Sequence, residues 1–228
     1  MTDKPGNKLL QDSEPNLFPL MIDMNDRKVV IFGGGKVGER KAALFVRYAP
    51  TTVLSRDFTP LLQDLAGEEL KLIETTGTLS DDEILDYIDG AFLVIPTTND
   101  REFNIRVANI AHQQSCLVNS VDGLDDCAIP SIVERGNITI AISTRGASPA
   151  LSKYMRKKIE TVIPAEFETM AQLQKEMRVR LKASIPDQRE RASILWAILE
   201  DEDVWNALTH SYEQALEIAL THISNGNN

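Results

Sequence analysis

The sequence lacks long hydrophobic runs, and basic residues are outnumbered. Nowhere do about 18 apolar residues follow one another, so no segment is expected to span a membrane. The first residues, MTDKPGNKLLQDSEPN, carry acids and no apolar core, which is unlike a secretory signal and predicts a disordered leader. Lysine and arginine number 24 against 34 acidic residues, for a formal net charge of -10. This balance argues against nucleic acid as a partner, because duplex binding requires a positive field.

Metal-binding side chains are also scarce. The two cysteines, Cys116 and Cys127, lack the spacing of a metal site and are expected to be plain thiols. The three histidines, His112, His210 and His222, lie far apart on apparent helix faces. The sequence therefore predicts no metal ligands.

Alternating strands and helices dominate the first half of the chain. KVVIF, at Lys28–Phe32, is a short run rich in β-branched residues and stopped by glycine. This pattern is typical of a strand buried on both faces of a parallel sheet. Four more strands are predicted within TTVLS, LKLIET, AFLVIPTT and CLVNSV, with helical segments such as TPLLQDLAG and SDDEILDYI between them. Thr59, followed by Pro60, and Ser80 are the predicted N-caps of these two helices. The repetition predicts a doubly wound α/β sheet.

The pattern changes after the fifth predicted strand. PSIVERGNITIAISTRG holds two β-rich runs joined by ERGN, which predicts a hairpin. Only helical segments follow Ser148. We therefore expect a leader at 1–16, a nucleotide-binding domain at 17–118, a small β-rich segment at 119–150 and a helical domain at 151–228.

Three spaced glycines mark the turn after the first strand. Gly33, Gly35 and Gly38 form G-x-G-x-x-G between a strand and a helix. The first permits the tight turn, the second lets a pyrophosphate approach the backbone, and the third lets the helix pack close to the strand. The N–H groups of Lys36 and Val37 are expected to face the phosphates. The motif predicts dinucleotide binding in a Rossmann-type sheet, against the alternative of a glycine-rich turn kept for packing alone.

The choice between NAD and NADP depends on the end of the second strand. Asp57 stands about 20 residues after the motif, where an acid binds the ribose hydroxyls, and favours NAD. Arg56 beside it is the alternative, since an arginine there accepts the 2′-phosphate of NADP. Phe58 is grouped with Asp57 in the cofactor site. Thr97 and Thr98 end the fourth strand at the edge where ligands lie, unless they only cap the next helix.

A basic cluster opens the helical part of the chain. Its members are Arg145, Lys153, Arg156, Lys157 and Lys158. The cluster is either a solvated helix face or an anion site. Ser148 followed by Pro149 has the pattern of a helix N-cap with proline at the first helical position. A helix N-terminus beside Arg145 would also attract an anion, so both interpretations of Ser148 stay open.

Two stretches of the sequence resemble a known family. GGGKVGERKA and VNSVDGLDDCAIPSIVERGNITIAISTRGASPAL are similar to the siroheme-synthase type of precorrin-2 dehydrogenase, over roughly Asn16 to Ile159. The resemblance implies NAD-dependent oxidation of precorrin-2 to sirohydrochlorin. In bifunctional members it also implies insertion of ferrous iron, as a sirohydrochlorin ferrochelatase. It further implies a cytoplasmic homodimer, with a dimerisation segment after the nucleotide domain.

The resemblance also assigns residues to the site. The aspartate of NSVD matches the family's catalytic aspartate, so Asp122 is the expected proton acceptor, although VDGL alone would equally make it a turn cap before Gly123. The serine of STRGASPAL, Ser148, matches a serine near the tetrapyrrole, which is phosphorylated in some members. Asn119 and Arg145 join Ser148 as candidate substrate-binding residues. Arg145 departs from the pattern, which usually has glycine there.

Other classes of function share the glycine motif. A regulatory NAD-sensing domain would bind the dinucleotide without catalysis, and a structural dimer would have lost the reaction. A sensor has no need of VDGLDDCAIPS or of a helical domain with a basic start. The intact glycines and Asp122 argue against a structural dimer.

Overall fold

The computed structural model describes residues 17–76, 78–120 and 126–225. The chain divides into two compact units, Met1–Ile129 and Pro130–Asn228. The division falls inside the β-rich segment expected at 119–150, and the expected domain boundaries stay predictions.

A five-stranded parallel sheet forms the centre of the first unit. Its strands are β1 (Lys28–Phe32), β2 (Thr51–Ser55), β3 (Leu70–Glu74), β4 (Ala91–Pro96) and β5 (Leu117–Val118). Their order is β3-β2-β1-β4-β5, with every pair parallel. This confirms the predicted doubly wound sheet. The chain reverses its direction of progress between β1 and β4, and ligands of such sheets bind at that switch point.

Helices cover both faces of this sheet. They are α1 (Lys36–Phe45), α2 (Pro60–Leu65), α3 (Asp81–Ile88) and α4 (Arg101–Gln113). Val29 and Ile31 belong to the core cluster that includes α1 and α2, whereas Val30 and Phe32 belong to the cluster of α3 and α4. All four are at most 1% exposed. Successive strand residues point to opposite faces, so an unbroken apolar run is buried on both sides, as KVVIF predicted.

Side-chain caps begin helices α2 and α3. Thr59 accepts a hydrogen bond from the N–H of Leu62 at 3.4 Å, and Pro60 is the first residue of α2. Ser80 and Glu83 form a reciprocal capping box at the start of α3. Both helix starts are local features, and both were predicted from the residue types.

The fifth strand is shorter than the sequence predicted. Only Leu117–Val118 pairs with β4. The N–H of Cys116 donates to the carbonyl of Ala111 at 3.0 Å, so Cys116 completes the turn that ends α4 instead of beginning the strand. Val121, the last residue of the predicted strand, lies outside the described residues.

The second unit combines one hairpin with a helical bundle. Strands β6 (Ser131–Arg135) and β7 (Ile138–Ile142) pair antiparallel across a turn in which Gly136 has φ +53°, which confirms the predicted hairpin. The helices are α5 (Pro149–Val162), α6 (Glu166–Ser184), α7 (Gln188–Glu200), α8 (Glu202–Leu208) and α9 (Tyr212–Asn225). Buried side chains of α6 to α9, including Leu173, Met177 and Ile198, form one apolar core. The unit is the small antiparallel sheet and helical region that the sequence predicted.

Candidate functional site

The glycine turn joins β1 to α1 at the switch point of the sheet. Gly33 has φ +119°, a conformation that favours glycine, and its N–H donates to the carbonyl of Leu54 at 2.8 Å. A Cβ at Gly33 would lie 2.9 Å from the backbone of Thr97. A Cβ at Gly38 would lie 1.8 Å from the carbonyl oxygen of Gly33. The turn and the helix therefore need glycine at both positions for packing.

Gly35 differs from its neighbours because nothing crowds it. A Cβ at Gly35 would meet no atom within 4 Å, and its φ of -79° is accessible to any residue. Gly35 is the N-cap of α1 and supplies no side-chain cap to the first turn, where Lys36 and Val37 lie. The first N–H groups of a helix have no partner within the helix and carry its positive dipole end. The open space beside these donors fits a pyrophosphate.

A cavity of about 660 Å³ adjoins this turn. Of the predicted cofactor residues, it is lined by Gly33, Gly35, Asp57, Phe58, Thr97 and Thr98. Arg56 lines the same cavity, and both Arg56 and Asp57 are exposed. Lys36, Val37 and Gly38, the other predicted cofactor residues, are not among those that line it. The structure thus brings part of the predicted set together and places both candidates for ribose recognition at the cavity wall. The residues present fit a dinucleotide.

The two threonines after β4 brace the turn from the other side. Thr97 donates its backbone N–H and its hydroxyl to the carbonyl of Phe32, at 2.7 Å and 3.1 Å. Thr98 donates its hydroxyl to the side chain of the buried Asn104 at 2.7 Å. The alternative that a threonine caps α4 is wrong, because Asp100 is the N-cap and accepts from the N–H of Phe103 at 3.0 Å.

Gly34 is a site residue that the motif analysis missed. A Cβ there would lie 2.3 Å from the backbone oxygen of Asp57 and 2.9 Å from the ring of Phe58. The N–H of Thr59 donates to the carbonyl of Gly34 at 3.2 Å. The loop after β2 therefore packs directly on the glycine turn. The signal available in the sequence was the run of three consecutive glycines, Gly33 to Gly35. The G-x-G-x-x-G motif requires only the first and third residues of that run.

Glu39 is a second missed residue, in the first turn of α1. Its side chain is only 12% exposed and lies 3.2 Å from the ammonium of Lys36. A hydrogen bond from the Thr59 side chain, with a smaller contribution from Lys36, holds the pKa of Glu39 below its ordinary value. The carboxylate of Glu39 thus pairs with Lys36 within the first turn of α1.

The predicted substrate residue Asn119 lies at the carboxyl end of β5. Its amide oxygen accepts from the ammonium of Lys41 at 2.6 Å, and its amide nitrogen donates to the carbonyl of Cys127 at 2.9 Å. These contacts tie the end of the sheet to α1. The predicted catalytic residue Asp122 lies outside the described residues. The part in substrate binding expected of Asn119 stays a prediction.

The other two predicted substrate residues belong to the second unit. Ser148 is the N-cap of α5 and accepts from the N–H of Leu151 at 3.1 Å, which confirms the predicted cap. Arg145 is exposed and has φ +52°, in the left-handed region where glycine is favoured. The position at which the family usually has glycine thus has a glycine-like backbone here.

The described residues form neither a cluster of metal ligands nor a helix that could span a membrane. No group of three or more histidine, cysteine, aspartate or glutamate side chains is arranged to hold a metal ion there. No helix in that part of the chain is long and apolar enough to cross a membrane.

Comparison with known proteins identifies the family to which this chain is similar. Residues 20–131 match a family described as putative NAD(P)-binding, and residues 135–161 match one described as sirohaem biosynthesis protein central. The chain is 48% identical to a precorrin-2 dehydrogenase of Methanosarcina barkeri, over 92% of this chain and 94% of the relative. These matches confirm the resemblance seen in the sequence.

Two further relatives are either longer than this chain or less similar to it in sequence. A siroheme synthase of Methylococcus capsulatus is 33% identical over 89% of this chain, which spans only 42% of that protein. The solved structure of SirC, a precorrin-2 dehydrogenase, matches 90% of this chain and 100% of its own with a TM-score of 0.70. At 23% identity that likeness concerns the fold.

Proposed function

The chain belongs to the precorrin-2 dehydrogenase family, and we propose that it oxidises precorrin-2 to sirohydrochlorin with NAD as the acceptor. The observation that carries this proposal is the open turn at Gly35 in a chain that is 48% identical to a relative of that name over 94% of the relative's length. The likeness extends beyond the dinucleotide domain through the helical unit. That extent favours an enzyme over a regulatory NAD-sensing domain.

The reaction removes a hydride and a proton from precorrin-2. When bound, the nicotinamide accepts the hydride. The chain must hold the tetrapyrrole at the carboxyl edge of the sheet and accept the proton. We assign the proton to Asp122, which follows the end of β5 in the sequence. An ionised carboxylate is a usable general base.

An anaerobic assay of NADH formation tests the proposal. Asp122→Asn keeps size and removes the basic oxygen, so we expect the rate to fall at least about a hundredfold while both ligands still bind. Asp64→Asn, an exposed change on α2, is the matched control. A wild-type protein that forms no NADH from precorrin-2 would contradict the function. A near-normal Asp122→Asn rate would return that residue to turn capping.

Insertion of ferrous iron is a second activity that the resemblance implies. Iron would be a substrate there, and its insertion requires removal of the pyrrole N–H protons, so the same acceptor would serve both steps. Ferrous or cobaltous ion added to the protein with sirohydrochlorin tests this. A protein-dependent spectral change that Asp122→Asn lowers supports it, whereas a rate equal to that without protein restricts the enzyme to oxidation.

We propose that Arg145 and Ser148 bind carboxylates of the tetrapyrrole. Arg145 offers an exposed guanidinium in the turn before α5, and Ser148 begins that helix. Charge-assisted hydrogen bonds to carboxylates are the strong contacts that arginine makes. The expected cytoplasmic location stays a prediction.

A homodimer is the assembly that we propose. In the 14-residue helix α5 only Ser152 is buried, while four apolar side chains are 40 to 67% exposed. They are Leu151, Tyr154, Met155 and Val162. A contiguous exposed apolar face of this kind marks an interaction surface, and a second copy would remove it from water.

Sedimentation of the pure protein tests the dimer. The double variant Tyr154→Glu with Val162→Glu places two charges in the proposed interface and should sediment as a monomer. Val179→Glu, which replaces an equally exposed apolar residue on α6, should stay dimeric. A monomeric wild type would overturn the proposal.

A further inference from the structure

The loop that carries Asp57 is held on the glycine turn by its own backbone. The carbonyl of Asp57 occupies the space where Gly34 would have a side chain, and the Phe58 ring and the Ser55 Cβ close the same space at 2.9 Å. Contacts of this kind leave no room for a methyl group. The position of Asp57 therefore depends on Gly34 as well as on β2.

Thr59 fastens the far end of the same loop to the glycine turn and to α2. Its N–H donates to the carbonyl of Gly34 in the glycine turn at 3.2 Å. Its hydroxyl oxygen accepts from the N–H of Leu62 in α2 at 3.4 Å and caps that helix.

We infer that Gly34 and Thr59 are positioning residues that set the preference for NAD over NADP by holding the loop Arg56–Phe58 on the glycine turn. This inference rests on the proposed dinucleotide-dependent function. Both residues line the cavity, and their effect on the preference acts through the loop that carries Asp57.

Arg56 and Asp57 are adjacent and carry opposite charges, so the position of the loop decides which of them lies beside the ribose. A carboxylate held beside the ribose accepts hydrogen bonds from its hydroxyls and repels a 2′-phosphate. A guanidinium reaching the same place would bind that phosphate, because arginine pairs strongly with phosphate oxygens. Asp57 and Arg56 both line the cavity. A loop fixed by Thr59 keeps Asp57 at the ribose, whereas a loosened loop admits Arg56.

Calorimetric titration of the full chain with NAD and with NADP tests the inference. Thr59→Val removes the hydroxyl at nearly constant shape, and we expect the ratio of the NADP to the NAD dissociation constant to fall roughly tenfold. Thr59→Ser restores the hydroxyl and should restore the ratio. An unchanged ratio in Thr59→Val would overturn the inference.

Two controls separate specificity from stability. Asp187→Ala removes the N-cap of α7 in the second unit, destabilises the protein by the loss of a comparable cap, and should leave the ratio unchanged. In an Asp57→Ala background, Thr59→Val should have no further effect on the ratio, because the two residues act as one unit. Additive effects of Asp57→Ala and Thr59→Val would contradict positioning through Asp57.

The same titrations distinguish the possible failures. A wild type that binds neither dinucleotide contradicts the proposed function itself. A wild type that binds NADP more tightly than NAD leaves an oxidation with NADP in place and overturns the inference. Gly34→Ala should lower the ratio as Thr59→Val does, with its folding checked by circular dichroism. Should it unfold, the Thr59 pair of variants still decides the question.

Discussion

Helices α1 and α5 begin in opposite ways. At α1 the N-cap is Gly35, which offers no side chain, and the space beside it is open. At α5 the N-cap hydroxyl of Ser148 accepts from the N–H of Leu151, and Pro149 has no N–H at the next position. The hydroxyl of Thr144 also accepts from the N–H of Ser148 at 3.1 Å.

The difference shows which helix end can hold an anion with its backbone. The sequence suggested an anion site at both ends, since each joins small residues to a helix start. At α1 the donors of the first turn have no side-chain cap, as a phosphate site requires. At α5 the hydroxyl of Ser148 already accepts from the N–H of Leu151, and Pro149 has no N–H. Binding of a carboxylate there would depend on the guanidinium of Arg145.

The largest expected effect comes from closing the open end. Gly35→Asp places a carboxylate where the pyrophosphate must lie, and repulsion with steric exclusion should weaken NAD at least about a hundredfold. The thermal midpoint should stay unchanged, because no atom lies within 4 Å of the new Cβ and φ is -79°. Calorimetric titration and a melting curve measure the two effects. Unchanged affinity in the folded variant would rule out the phosphate site.

Removing the N-cap side chain of α5 should change stability and leave NAD binding unchanged. Ser148→Ala leaves the N–H of Leu151 without its acceptor and should lower the free energy of unfolding by about 1 kcal/mol, with NAD affinity unaffected. Both tryptophans, Trp196 and Trp205, lie in the second unit, so their fluorescence in denaturant reports its unfolding. Ser148→Asp keeps a good cap and is the control. Equal stability of Ser148→Ala and wild type would show that the cap is not needed.

A smaller change separates the charge of Arg145 from its backbone. Arg145→Gly relieves a left-handed conformation that disfavours residues with a Cβ, and should raise the free energy of unfolding by up to about 1 kcal/mol. Arg145→Ala removes the charge without that relief. We expect both variants to bind the tetrapyrrole more weakly and only the glycine variant to gain stability. A gain in both would trace the effect to charge.

The smallest expected effect concerns the start of α8, where the N-cap is a charged side chain, Asp201. Asp201 begins α8, accepts from the N–H groups of Asp203 and Val204, and lies 2.7 Å from the ring of His222. The His222 bond first, and the backbone bonds after it, lower the pKa of Asp201 in the folded protein. Its contribution to stability is therefore complete above the unfolded carboxyl pKa of about 3.9 and is lost as pH falls through the folded value.

Acid unfolding of wild type and Asp201→Asn measures that contribution. Asparagine still caps the helix but does not titrate. The loss of unfolding free energy below about pH 4 should be shallower in the variant. Parallel acid curves would show that the carboxylate contributes nothing at this end.

The sequence predicted the features whose causes are local. The glycines at 33, 35 and 38 and the caps at Thr59, Ser80 and Ser148 each follow from a residue type and its immediate neighbours. The doubly wound parallel sheet followed from the alternation of strands and helices, whereas its strand order was not predicted. Six of the residues predicted for the cofactor site, Gly33, Gly35, Asp57, Phe58, Thr97 and Thr98, line one cavity.

Contacts between distant segments were beyond such rules. The hydrogen bond from Lys41 to Asn119 joins residues 78 positions apart, and no local pattern marks either residue as its partner. The close approach of Gly34 to Asp57 likewise depends on how the loop after β2 returns over the turn. The predicted length of β5 was wrong because the N–H of Cys116 donates to the carbonyl of Ala111 at the end of α4. Tertiary packing decides each of these.

The central place of β1 bears on the order in which the molecule folds. Thr97 closes the glycine turn through a hydrogen bond to Phe32, which lies 65 positions earlier in the chain. Pairing over such a separation carries a larger loop-closure entropy than the pairing of β1 with β2, which are joined by one helix. The first strand, helix and second strand therefore form an incomplete turn until β4 docks. A growing chain on the ribosome would acquire its dinucleotide affinity only after β4 has emerged, so that affinity is a marker of the docking of β4 on β1.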